Sequence, residues 1–304
     1  MNGLLIIDKP QGMTSFDVVR RVRKLCGTRR VGHTGTLDPL ATGVLPVAVG
    51  EGTRIVQFLM EGDKTYRATL KLGEITDTQD AEGEILERRQ VIGVTEEALE
   101  EACRSRVGTI SQIPPMYSAL KKDGVPLHRL ARQGIEVERL ERQIEIRRLE
   151  ILEIRLPYVT FEVDCSKGTY VRTLCHDLGL ALGTGAHLTA LRRTRNGIFT
   201  ESDSVTLEKL TADANAGVQP KLLSLTEAMH GFSKLEVSAA AASRLRDGVP
   251  PELASVSGSI DCEEGDRVLL LEEGILLAIA SFAPSRSREK RGDFELLRVF
   301  NRPG

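Results

Sequence analysis

Long apolar runs are missing from this chain: none approaches the ~18 residues that a membrane helix needs. Met1 to Asp8 also lacks the basic start and extended apolar stretch of a signal peptide. Both absences point to a protein that stays in the cytoplasm. Cysteine is scarce and scattered. Cys26, Cys103, Cys165, Cys175 and Cys262 include no C-x-x-C pair, which argues against a disulfide framework or a zinc site and leaves reduced, mostly buried thiols. The five histidines show no H-x-x-x-H spacing, so no metal is expected. No repeat of fixed period runs through the sequence. An excess of one charge is lacking too, since the formal net charge is −2.

What is present is ordinary globular material, 41% hydrophobic and 28% charged, in a length of 304 residues that favours two domains over one. The near-zero net charge conceals clusters. Lys9, Arg20, Arg21, Arg23, Lys24, Arg29 and Arg30 face only Asp17 over their stretch, and further basic groups gather at Lys121 to Arg132, Arg192 to Arg195 and Arg286 to Arg291. Acids concentrate elsewhere, notably from Asp77 to Glu101. A charge run is commonly a solvated face, so its meaning depends on the chemistry beside it.

Gly3 to Ile7 reads as a strand entering the turn Asp8-Lys9-Pro10-Gln11-Gly12. A helix follows, capped by Thr14 or Ser15, with Val18, Val22 and Leu25 on one face and Gly27 as its stop. Tyr66 to Leu72 alternates as a half-buried strand, and Thr95 to Arg106 reads as a helix. Between Gln143 and Val163 apolar residues alternate over several short stretches, expected to be antiparallel strands. Tyr170 to Leu182 has helical spacing, and Leu188 to Arg195 runs into the hairpin signal Asn196-Gly197. The region from Thr211 to Gly231 reads as a connection. Beyond it, a helix over Ser238 to Arg246, a hairpin through Glu272-Glu273-Gly274 and a strand over Phe294 to Phe300 make a small β-rich unit. The fold class is α+β, a mainly antiparallel mixed sheet with flanking helices, divided into residues 1–231 and 232–304.

The segment from Arg30 to Gly52 puts a lone carboxylate, Asp38, in a loop of glycine, threonine and proline ahead of an apolar strand. Pro39 denies Asp38 the α region and holds it extended. Gly32, Gly35 and Gly43 permit close approach by a ligand. Asp-Pro also serves in plain turns, so side-chain chemistry alone leaves both a structural turn and a catalytic loop open.

The strings DKPQGMTSFDVV, GHTGTLDPLATGVLPV, DKTYRATLKLG, TDTQDAEG, PPMYSALK, ARQGIEV, CSKGTYVRTL and GAHLTALRRT occur in that order. Together they resemble the TruB-type tRNA pseudouridine-55 synthases, densely from Gly3 to about Thr200 and only as a general pattern thereafter. The resemblance implies a pseudouridine-synthase fold with a central cleft, followed by a small PUA-like domain that contacts RNA. It implies Asp38 as the essential carboxylate, attacking C1′ or C6 or stabilising charge on the ribose, and Arg172 as the cation that keeps it ionised and oriented. Tyr66 then stacks on the uracil and is a candidate base for the C5 proton. Tyr170 and Leu191 line the uracil pocket, and His33 fills the stack vacated by the flipped nucleotide. Without the resemblance, Tyr66 and Leu191 read as core, Arg172 as a surface helix residue and His33 as solvated.

Met116 to Glu138 matches a thumb-like insertion, with Lys121, Lys122, His128, Arg129 and Arg132 as phosphate contacts. Asp123-Gly124 reads as a flexible turn between two basic arms, and Arg20 to Arg30, Arg192 and Arg193 extend the positive track. The implied partner is tRNA through its T arm, met by a monomer that needs no cofactor and no protein partner. Competing readings are an RNA-guided synthase, an RNA-remodelling module, and a two-carboxylate hydrolase, for which the catalytic stretch supplies no second acid.

Overall fold

The first apolar run forms β1 (Gly3–Lys9), which pairs antiparallel with β2 (Thr42–Val49) from Gly3 opposite Val49 to Lys9 opposite Gly43. Nearly every residue of both strands is buried, because both faces are covered. Leu5, Ile7, Leu45, Val47 and Val49 point into one core, while Leu4, Ile6, Val44 and Ala48 point into another. The computed structural model describes residues 1–258, 262–285 and 292–300. The basic cluster Arg286, Arg288, Lys290 and Arg291 lies outside the described residues.

Thr14 caps the helix Ser15–Leu25 in a reciprocal capping box with Asp17, and the helix buries Val18, Val19 and Val22. The sheet continues through β3 (Lys64–Leu72), β4 (Gly108–Gln112), β5 (Arg142–Arg155), β6 (Tyr158–Cys165) and β7 (Ala186–Asn196). Its order is β1, β2, β7, β3, β6, β5, β4, with the short strand Val205–Thr206 outside β1. Two joins are parallel, Val205–Thr206 to β1 and β7 to β2, and the remainder are antiparallel. The expected α+β class and mixed sheet are therefore present.

Two expectations are corrected. The several short strands anticipated after Gln143 are largely one strand, β5, fourteen residues long, whose register against β6 shifts between Ile146 and Arg148 and again between Ile151 and Glu153. Each bulge flips the alternation, so one bent strand mimics separate ones. The supposed connection from Thr211 contains most of a helix, Leu207–Asn215, which buries Leu207 and Leu210.

The C-terminal residues form a second sheet, ordered Val256–Ser257, Ser233–Val237, Arg267–Glu272, Ile275–Phe282, Phe294–Val299. Ser238 caps the helix Ala239–Arg246, which packs Ala241, Ala242 and Leu245 on that sheet. Leu269, Leu271, Leu276, Ile279 and Phe300 meet Leu4, Ile6, Val44, Ile55 and Phe58 in the core behind β1 and β2. Among the described residues, no helix is long and apolar enough to cross a membrane.

Candidate active site

The join of β7 to β2 spans only two residue pairs, Arg192 with Thr42 and Arg193 with Gly43. Gly43 has φ +99°, and a Cβ there would lie 2.3 Å from the Arg193 carbonyl oxygen, so only glycine lets the strands approach. The loop preceding β2 carries Asp38. Its flanks are clamped: the Ser15 hydroxyl accepts from the Leu37 amide at 2.8 Å and lies 3.1 Å from the Leu37 carbonyl, while Leu37, Leu40 and Ala41 sink into the core. Lys9 is fully buried and gives its ammonium to the carbonyls of Met13 at 2.6 Å, Pro10 at 2.9 Å and Pro39 at 3.4 Å. Burial pushes the Lys9 amine down to about 8. Lys9 thus shapes the loop from within and does not belong to a surface track.

Asp38 opens into a cavity of about 570 Å³ that Tyr66, Asp80, Tyr170, Arg172 and Leu191 also line. Arg172, 5% exposed on the helix Val171–Ala181, places Nη2 3.2 Å from Asp38 Oδ2 and Nη1 3.4 Å from Asp80 Oδ2. The same Nη2 donates to the carbonyl of Tyr117 at 2.6 Å. Burial pushes the Asp38 carboxyl above the ordinary carboxylate range; Arg172 pulls it back, Asp80 pushes it further up, and Lys9 opposes that. The expected ion pair is present, but its cation is shared, and burial outweighs it.

Asp80 is a site residue that reading along the chain missed, and it supplies the second acid that the catalytic stretch lacks. It is fully engaged. Its carboxylate accepts from the Thr78 hydroxyl at 2.6 Å and the Glu82 amide at 3.0 Å, besides facing Arg172. The signal was present in TDTQDAEG, where threonines and a following amide are placed to hold one carboxylate.

Tyr66 on β3 is 8% exposed and lies directly across from Arg193 of β7. Tyr170 precedes the helix Val171–Ala181; its backbone is fixed by Gln112, whose side chain accepts from its amide at 2.8 Å and donates to its carbonyl at 3.1 Å. The Arg172 guanidinium sits 6.0 Å from the centre of the Tyr170 ring. His33 ends the short strand Val31–His33 and accepts at Nδ1 from the Gly35 amide at 3.2 Å. It stands next to Thr34, which lines the cavity, and is not itself part of the lining. Burial and Arg193 push its imidazole below the usual range, which favours a neutral ring.

Lys121 and Lys122 form one arm of a tight hairpin with Val125–Pro126, and Asp123 and Gly124 occupy its tip with φ +51° and +81°. The expected flexible turn is thus a two-residue hairpin loop with left-handed backbone. Lys121, Lys122, Arg129 and Arg132 are exposed, and among the described residues none pairs with a carboxylate. Arg132 and His128 reach the cavity. Arg192 and Arg193 are corrected as phosphate contacts. Arg192 holds both oxygens of Asp8 at 3.0 Å and also pairs with Glu201, and Arg193 is 1% exposed. Adjacent strand residues face opposite ways, so a basic doublet does not make a basic surface. Among the described residues, no group of three or more His, Cys, Asp or Glu could hold a metal ion.

A family model described as TruB family pseudouridylate synthase (N terminal domain) matches residues 23–171, and one described as tRNA pseudouridylate synthase B C-terminal domain matches residues 172–225. A protein of Syntrophotalea carbinolica named tRNA pseudouridine synthase B is 55% identical over 304 residues, covering 100% of this chain and 99% of that protein. Its namesake from Geobacter sulfurreducens is 47% identical over 99% of this chain and 100% of its own. Among solved structures, one described as a Cbf5-Nop10-Gar1 complex superposes with a TM-score of 0.74 at 29% identity, covering 98% of this chain and 84% of that one.

Proposed function

The chain belongs to the TruB family of pseudouridylate synthases, and from that premise we propose that it isomerises uridine 55 in the T arm of tRNA, with Asp38 as the catalytic carboxylate. It is a tRNA pseudouridine synthase, an isomerase, as its full-length relatives at 55% and 47% identity are named. The observation that carries the site assignment is the Asp38 carboxyl facing a cavity, gripped by a buried arginine and accompanied by Tyr66.

The reaction breaks the N1 glycosidic bond, turns the base and joins C5 to C1′, with no net redox change. An ionised Asp38 attacks at C1′ or C6, or stands against positive charge developing on the ribose. Arg172 orients it through the charge-assisted bond. Tyr66 lies against the uracil and takes the C5 proton. Tyr170 and Leu191 wall the base from water, and a neutral His33 at the cavity edge supplies a flat ring to the vacated stack. Extraction of a base costs a few kcal/mol, part of which such a ring offsets. Lys121, Lys122, Arg129 and Arg132 meet phosphates of the arm. Residues 232–304 serve as a PUA-like RNA-binding unit beside the catalytic residues 1–231. The enzyme works in the cytoplasm, as a monomer without a cofactor.

The RNA-guided reading is the weaker one. The Cbf5 structure is 29% identical, against 55% for a protein named tRNA pseudouridine synthase B that is matched over the whole of this chain. Asp38→Asn, close in shape but without a carboxylate, is expected to abolish pseudouridine at position 55 in a transcript assay while tRNA still binds. Substantial turnover by that variant would remove Asp38 from its role, and pseudouridine at another position would correct the substrate.

A further inference from the structure

The helix Ser15–Leu25 is amphipathic, with Val18, Val19 and Val22 turned inward, and its solvent side carries one residue out of place. Phe16 is 55% exposed. Arg20 and Arg23 follow it at i+4 and i+7 on the same face, their guanidinium carbons 5.7 and 5.6 Å from the centre of the ring. Arg20 is held by Asp17, and Arg23 gives Nη2 to the Val31 carbonyl at 3.2 Å, so both are fixed beside the ring while it keeps an open side. Helix stability does not call for an aromatic here, since Phe is a poorer helix former than Lys, Gln or Glu. Thr14, which caps this helix, lines the cavity into which Asp38 opens. The helix therefore leads away from the rim, and from Thr14 to Lys24 it covers about 15 Å.

We propose that Phe16 is a stacking platform for an unpaired base of the bound tRNA, on the strand that leads out of the cavity, with Arg20 and Lys24 meeting the phosphates beside that base. This rests on tRNA as the substrate and is independent of the 121–132 footprint and of the position that is modified. It is also distinct from the part given to His33, which fills the place of the extracted nucleotide.

Shape and charge both fit that occupant. Unpaired bases are read by stacking on aromatic rings and guanidinium planes, and every base has a π face to offer. Arg21, Lys24 and Arg29 are exposed, and among the described residues none of them pairs with a carboxylate. The ring thus sits within a surface of one sign, opposite to that of a phosphate backbone. A second copy of this chain would have to set that surface against its own likeness, and like charges face to face oppose such a contact.

The chain has no tryptophan, so Phe16→Trp supplies a single indole as reporter. Titrated with an unmodified tRNA transcript, this variant is expected to bind as the wild type does and to lose most of its indole emission, because a base stacked on the indole quenches it. Phe16→Leu, apolar but without a flat ring, should bind the same transcript roughly 10-fold more weakly, and Phe16→Tyr should restore the affinity. Lys24→Ala should reduce the slope of log K against log salt by about 1. Quenching is read on the bound molecules, so partial misfolding of a variant does not imitate it. Indole emission that tRNA leaves unchanged, or wild-type affinity in Phe16→Leu, would overturn the platform. Quenching that grows with protein concentration in the absence of RNA would assign the ring to a contact between copies instead. Failure of the wild type itself to bind the transcript would sink the substrate, and the platform with it.

Discussion

At Asp38 the proposed catalysis and the stability of the fold pull apart. Burial raises the carboxyl in the folded protein above its unfolded value, so between those two values the native state holds more protons than the unfolded one. Stability contributed there falls as pH rises, and at neutral pH the ionised side chain is a net cost. Asp38→Asn is therefore expected to melt somewhat above wild type at neutral pH. The difference should vanish below the ordinary carboxylate range, where both states are protonated. Melting curves across pH check this, and an Asn variant that melts lower throughout would contradict it. Residues within contiguous motifs were legible in the sequence: Asp38, Tyr66 and Arg172 meet as expected. Asp80 and Arg193 were not, because their importance comes from contacts 92 and 149 residues distant along the chain.

Elements were legible where a local cap or turn sets them. Thr14 with Asp17, Ser238 and the Glu273-Gly274 loop all stand where their chemistry put them. β5 was misread because its bulges reset the alternation, and a bulge is a property of pairing that no single strand displays. The 121–126 hairpin bears on the proposed RNA footprint. Its first arm holds Lys121 and Lys122 at fixed spacing, and Arg129 follows on the exposed side of the helix Leu127–Ala131. Lys121→Ala combined with Arg129→Ala is expected to weaken tRNA affinity and reduce the slope of log K against log salt by about 2, one for each lost phosphate contact. Filter binding at several salt concentrations measures it, and an unchanged slope would take this segment out of the footprint.

Across the whole molecule, unbroken apolar runs in β1 and β2 signal strands covered on both faces, which the sequence displays. Which element supplies the second cover does not show in it, since Leu269 to Phe300 lie more than two hundred residues further on. The two sheets are joined by that shared core and by polar contacts at its rim: Arg298 to Gln57 at 3.2 Å, Thr226 to Gly274 at 3.2 Å, and Arg267 over the Phe58 ring at 5.5 Å. Ile279→Ala is therefore expected to destabilise the entire chain by about 2–5 kcal/mol in one cooperative transition. Denaturant unfolding followed by both far-ultraviolet dichroism and tRNA binding checks this. Separate transitions would mean that the sheets unfold independently.

The placement of β1 also constrains how the protein is made. β1 is synthesised more than two hundred residues ahead of a surface, Leu269 through Phe300, that Leu4 and Ile6 pack against. Until that surface has been made, those side chains close only against nearer partners such as Val44, Ile55 and Phe58, and a nascent chain stalled before Leu269 carries a partly open greasy flank exposed to water and to chaperones.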